Sequence, residues 1–174
     1  MTWNFPIAIV AAGMVAGAAY GQPAFQPTDP QIAHIAYTAG QIDVSAGQQA
    51  LAKSKNAMVR DFAQEMVRDH TAVNDQALTL VERLGVTPEA NPTSTALSSA
   101  AATKHAELAK LNGAAFDRAY VQNEIAYHKT VNAALSGTLI PSARNAELKE
   151  LLGTGLKLFQ EHQTHAEHLA QQLH

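Results

Sequence analysis

Beyond Pro30, apolar residues recur every three or four positions through each long segment, the spacing of one helix face. A first helix is expected from about Pro30 to Lys55, with Ile32, Ile35, Ala39, Ile42, Ala46 and Ala50 turned inward. Thr28-Asp29-Pro30 supplies its start, a capping side chain followed by a proline suited to the first turn. Gly40 and Gly47 weaken this helix but let a neighbour approach closely. Asn56 caps a second helix that ends near Leu84-Gly85, with Val59, Ala63, Met66, His70, Val73, Ala77 and Leu84 as its stripe. Val86 to Thr95, carrying Pro88 and Pro92, reads as a loop, and Ser94 to Leu111 as a shorter Ala-rich helix stopped by Asn112-Gly113. A third long helix is expected from Phe116 to about Leu139, aligning Val121, Glu124, His128, Val131 and Leu135 until Pro141 breaks it. The last runs from about Arg144 to Leu173, with Leu148, Leu151, Gly155, Leu158, His162, Ala166, Leu169 and Leu173 inward.

Four helices of about 25 residues would each be roughly 38 Å long. Short turns join the first pair and the last pair, while some thirty residues, on the order of two helices' width of slack, separate the pairs. A connection that long lets the second and third long helices run parallel. The expected fold is therefore all-α, a ferritin-like four-helix bundle with a long helical crossover between helices two and three. An up-down bundle is the alternative topology.

Two of those helices carry copies of one pattern. Phe62-Ala-Gln-Glu-Met-Val-Arg-Asp-His70-Thr-Ala-Val-Asn74 matches Tyr120-Val-Gln-Asn-Glu-Ile-Ala-Tyr-His128-Lys-Thr-Val-Asn132 at the aromatic, the Gln, the His and the Val-Asn pair. A duplicated helix with an inward imidazole at the same place in each copy suits a metal site inside a bundle.

Composition narrows the classes. One domain is expected in 174 residues, and a net charge of −3 offers no basic face for nucleic acid. The absence of cysteine excludes disulfides, thiolate metal sites, iron–sulfur clusters and cysteine nucleophiles. Eight histidines are an excess, and histidine is the commonest metal ligand. Residues 1–21 read as a signal peptide, since Ile7 to Tyr20 is an apolar run too short to span a bilayer comfortably. Cleavage is expected after Gly21, with Ala16-Gly17-Ala18 as a second candidate, although no Lys or Arg precedes Lys53. An uncleaved membrane anchor is the alternative. Residues 22–29 would be an extended leader and 30–174 the bundle domain.

Met58-Val-Arg-Asp-Phe-Ala-Gln-Glu-Met-Val-Arg-Asp-His70, Phe116-Asp-Arg-Ala-Tyr120 with His128, and Glu161-His162 together resemble an exported bacterial family. That family is catalogued as domain of unknown function 4142 and often labelled a predicted outer membrane protein. The resemblance spans about residues 30–173. It implies a ferritin-like fold, a periplasmic or outer-membrane-associated location, and metal binding by helix-borne histidine and carboxylate, with no settled activity. Where the family tends to carry Glu on the first helix, this chain has Asp43, with Gln41 nearby. Met66-x-x-x-His70 also resembles the Met-and-His motif of a second exported helical family associated with copper.

The candidate metal ligands are His70, His128 and His162, on three different helices, with Glu124, Asp43 and Met66 as helpers. Three buried imidazoles without partners would each cost about 1–3 kcal/mol per unsatisfied group, and one shared ion satisfies all three together. Glu124, one turn before His128, can ligate or orient the ring. Met66 is most simply a packing residue, and a ligand only for a soft ion such as copper(I). Asp69 and Glu161 lie about 100° from the inward direction and are expected to solvate the bundle surface or cap neighbours. Tyr120 and Tyr127 are core residues that could also hydrogen-bond. His165 and His168 continue His162 into His-x-x-His-x-x-His, but helical spacing turns them progressively outward, toward solvent or a weak capture patch with His174.

No Glu-x-x-His occurs, so di-iron oxidase chemistry is disfavoured and a His-rich site suits copper or zinc better than iron. Gly-x-Ser-x-Gly and phosphate-binding glycine loops are absent as well. The expected function is an exported metal-binding protein for buffering or delivery. The alternatives are a metal-dependent oxidase or peroxide-handling enzyme, and a metal-free envelope stress or interaction protein. Envelope proteins or a second copy of the chain are the candidate protein partners.

Overall fold

The computed structural model describes residues 26–173, so the signal-peptide reading of 1–21, the first part of the leader and His174 lie outside the described residues. Five helices make up the described chain: α1 (Asp29–Lys53), α2 (Ala57–Arg83), α3 (Pro92–Ala109), α4 (Gly113–Ala134) and α5 (Ala146–Gln172). The fold is all-α, and no strand occurs among the described residues.

Asparagines set three of the starts. The Asn56 side chain accepts from the amides of Met58 and Val59, Asn91 from Ser94, and Asn145 from Glu147 and Leu148. Each satisfies first-turn donors that a helix leaves orphaned. Pro92 is the first residue of α3 rather than part of the loop before it, because its fixed φ and missing N–H suit that position. Asn112-Gly113 likewise begins α4, with Gly113 at a positive φ of 54°.

Contacts between ends give the directions. α3 starts beside the start of α1, through Glu89 N–H to the Pro30 carbonyl (3.0 Å), and ends beside its end, where Lys53 reaches the Ala109 carbonyl (2.9 Å). It is the helical crossover, lying parallel to α1. α4 then runs back, since Asn112 meets Lys53 while Tyr127 donates to the Ala39 carbonyl (3.1 Å). Asp29 accepts from the amides of Arg144 and Asn145 (both 2.8 Å), which starts α5 beside the start of α1. Thus α2 and α4 run parallel, as the long connection predicts, and lie across the bundle from one another.

Pro141 does not break α4 as expected. The helix passes through a π-helical turn, Leu135–Leu139, and a last turn, Ile140–Ser142, before Ala143 becomes extended. The Ile140 amide donates to Leu135, five residues back, so the widened turn absorbs the proline.

The inward faces differ in phase from the expected stripes. On α5, Leu152 and Phe159 are buried where Leu151 and Leu158 are only partly covered. On α1, Asp43 is inside and Ile42 half-buried, facing the groove beneath α3. On α2 and α4, Asn74 and Asn132 are buried rather than Val73 and Val131. Gly47 permits close α1–α2 packing: an added Cβ would sit 2.8 Å from Val67 Cγ2 and 3.0 Å from the Ala63 carbonyl oxygen.

Two apolar clusters fill the bundle. One gathers Ala46, Phe62, Met66, Phe116, Tyr120 and Leu169; the other gathers Ile32, Leu80, Leu135, Leu139, Leu148 and Phe159. Between them lies a polar layer.

Candidate metal centre

Every helix of the four-helix core supplies that layer: Asp43 from α1, His70 from α2, Glu124 and His128 from α4, and His162 from α5. None is more than 2% exposed. The His70 ring lies 5.5 Å from that of His128 and 5.2 Å from that of His162, and the His128 and His162 rings are 5.5 Å apart. One nitrogen from each of the three comes within 4.8 Å of the others, and Asp43, Glu124 and His128 form a second such group. The structure thus brings the three expected histidines into one group, and places Asp43 and Glu124 in a neighbouring group that shares His128. Met66, one turn before His70, is wholly buried in the adjoining apolar cluster.

Hydrogen bonds orient two of the rings. His128 Nδ1 meets the Glu124 carbonyl at 3.0 Å, which puts its proton there and leaves an Nε2 lone pair without a partner. His162 Nε2 meets Asp69 Oδ2 at 3.1 Å, leaving Nδ1 without a partner. A ring whose outer N–H is held by a carboxylate or carbonyl is how metal-ligating histidine is oriented. His70 stacks on Phe159, with ring centres 4.5 Å apart and planes 13° apart, and neither of its nitrogens has a hydrogen bond. Its Nε2 is 3.5 Å from Asp43 Oδ2, long for such a bond.

Asp69 is the residue that sequence reasoning misplaced. It does not solvate the surface but binds His162, because a side chain 100° off the core direction in a four-helix bundle faces the adjacent helix. Arg68 holds its other side, at 2.6 and 3.0 Å. Glu161 is exposed as expected. Tyr127 hydrogen-bonds the α1 backbone, while the buried Tyr120 hydroxyl has no partner.

Burial sets the protonation states. It drives His70 well below the ordinary histidine value, an effect reinforced by His128 and His162, and drives His128 to about 4. His162 is also lowered by burial, against the pull of Asp69. The three rings are thus neutral at pH 7, as ligands must be. Burial raises Glu124 to about 7 and Asp43 well above its ordinary value, the latter further because Glu124 faces it. For Asp69, burial works upward, but hydrogen bonds from Arg68 and His162 outweigh it and hold the carboxyl low.

The donor set fits a transition-metal ion. Zinc–nitrogen bonds of about 2.0–2.1 Å would require each imidazole nitrogen to move inward by less than about 1 Å. No well-formed hydrogen bond reaches either oxygen of Glu124 or Asp43 Oδ1, and a shared proton or a cation would join the two facing carboxyls. A bound ion would satisfy these groups and the three lone pairs together, and would act as a Lewis acid.

The family model for "Domain of unknown function (DUF4142)" matches residues 15–169. No curated protein matches the sequence. Among solved structures, the fold is similar to a DUF305 protein of Streptomyces coelicolor that is named as secreted, with a TM-score of 0.68 and 11% identity over 80% of this chain and 89% of that one.

Proposed function

This chain belongs to the DUF4142 family, and from that premise we propose that it is an exported protein holding one copper or zinc ion in its core. His70, His128 and His162 would be the ligands, completed by Glu124 or Asp43, with Met66 in reserve for copper(I). The observation that carries this reading is the set of unpartnered nitrogens converging from α2, α4 and α5 in a layer closed to solvent. Left as they are, several buried polar atoms cost about 1–3 kcal/mol each. A shared ion at the three histidines, or at the neighbouring Asp43, Glu124 and His128 group, would offset that cost.

The same enclosure favours holding over turnover. Ligands no more than 2% exposed keep bulk water and substrates away from a bound ion, so buffering or delivery in the periplasm is the role that fits. Export rests on the apolar segment Ile7–Tyr20 and on the secreted name of the structural neighbour. No described helix is long and apolar enough to cross a membrane. Equilibrium dialysis of the purified protein against copper and zinc is the test: one tightly held equivalent, absent from the His70→Ala/His128→Ala protein, is expected. Absence of uptake, or uptake indifferent to those substitutions, overturns the reading.

A further inference from the structure

His162 faces two ways. Its Nδ1 is buried without a partner, while Nε2 meets Asp69 of α2. Around that outer nitrogen lies another group: ligand atoms of Glu65, Asp69 and His162 all fall within 4.8 Å of one another. His165, three residues after His162 on α5, binds Glu65 through Nδ1 at 2.7 Å, and its ring packs edge-on against Phe62 with centres 5.1 Å apart. Unlike the inner set, this group opens to solvent, with side-chain exposures of 29% for Glu65 and 47% for His165.

We propose that Glu65, Asp69 and the outer nitrogen of His162, with His165 beside Glu65, form an entry site where a divalent cation is first captured and then passed inward through His162. The proposal rests on the reading that the inner histidines hold a metal. Three features support it. The cluster is acidic and has two imidazoles, a mixed oxygen and nitrogen set that binds zinc or copper(II). Its one cation, Arg68, is 69% exposed and attached through Asp69 alone among the hydrogen bonds, so it can swing into water at about 0–1 kcal/mol, the worth of a surface ion pair. And an apolar cluster lies on either side of the inner layer along the bundle.

The imidazole chemistry makes capture transient. A neutral His162 ligating through Nε2 keeps its proton on Nδ1, and ligating through Nδ1 it keeps the proton on Nε2, where Asp69 accepts it. The ring therefore serves one site at a time. When the ion moves inward, the proton changes nitrogen and no net proton is gained or lost.

The test is stopped-flow uptake of Zn²⁺ by the metal-free full chain, followed with a zinc-sensitive dye, together with the bound equivalents at the end. Glu65→Gln/His165→Ala is expected to slow uptake about tenfold, the low end of electrostatic steering. Arg68→Gln is expected to speed it, and both proteins finish with one equivalent. In the His70→Ala/His128→Ala background, a weaker site should remain and disappear when Glu65→Gln is added. Unchanged rates with a normal endpoint overturn the entry site alone. A wild-type chain that takes up no zinc overturns the entry site and the core site together.

Discussion

The two copies of the repeated helix pattern have the same skeleton and opposite chemistry. In both, the aromatic (Phe62, Tyr120), the histidine (His70, His128) and the trailing asparagine (Asn74, Asn132) are buried. Two of the differences between them bear on the polar layer, one turn and one residue before the histidine. On α4 the earlier position is Glu124, a fully buried carboxyl beside the ring; on α2 it is Met66, an apolar neighbour. One residue before the histidine, α2 has Asp69 reaching across to His162, while α4 has Tyr127 bonded to the α1 backbone. Duplication thus supplied two equivalent rings on parallel helices, and divergence put the inner carboxyl on one side of the layer and the outer carboxyl on the other.

Removing either ring should have the largest effect. His70→Ala and His128→Ala are each expected to abolish stoichiometric metal binding, checked by calorimetric titration with zinc. If one copy alone mattered, its partner's variant would bind normally, and the equivalence of the copies would be broken.

The carboxyls come next. Asp69→Asn removes the acceptor that orients His162 and should weaken binding about 10–100-fold. Glu124→Gln should weaken it by a comparable factor if the carboxyl ligates or supports His128. A competition assay against a chelator ranks the inner and outer carboxyls directly.

A third expectation concerns pH. Glu124 is raised to about 7 from 4.5, so the metal-free fold binds its proton more tightly than the unfolded chain does. That contribution is complete below about 4.5 and is lost as pH rises through about 7. His128, lowered to about 4 from 6.5, works oppositely: its contribution is present above 6.5 and lost as pH falls toward 4. Thermal melts of the metal-free protein should show Glu124→Gln gaining stability over wild type at pH 8 and not at pH 4. With metal bound the trend should reverse, because the ligands must be deprotonated.

The smallest effect is expected at Met66. Met66→Leu conserves volume and should cost less than about 1.5 kcal/mol by chemical denaturation. Zinc uptake should be unchanged, and a loss confined to copper(I) would identify the thioether as a ligand for the soft ion.

The contrast between copies also marks what the sequence carries. Helix periodicity, the Asn56 cap and the thirty-residue spacing were enough to place five helices and to make α2 and α4 parallel. The inward His70, His128 and His162 followed from the same periodicity. Phase within a stripe did not, because neighbouring positions such as Leu151 and Leu152, or Ile42 and Asp43, are only 100° apart and packing decides between them. Pro141 misled because the π-helical turn before it relocates the hydrogen bond that proline would lose. Asp69 was missed because its partner is on another helix. Only the packing of α5 against α2 brings His162 and His165 to Asp69 and Glu65.

Metal content of the protein purified from the envelope of its own cells, set beside that of the His128→Ala protein, tests the central claim most directly. One equivalent of copper or zinc in the former and none in the latter is predicted. Equal metal in both, or none in either, would contradict the core site.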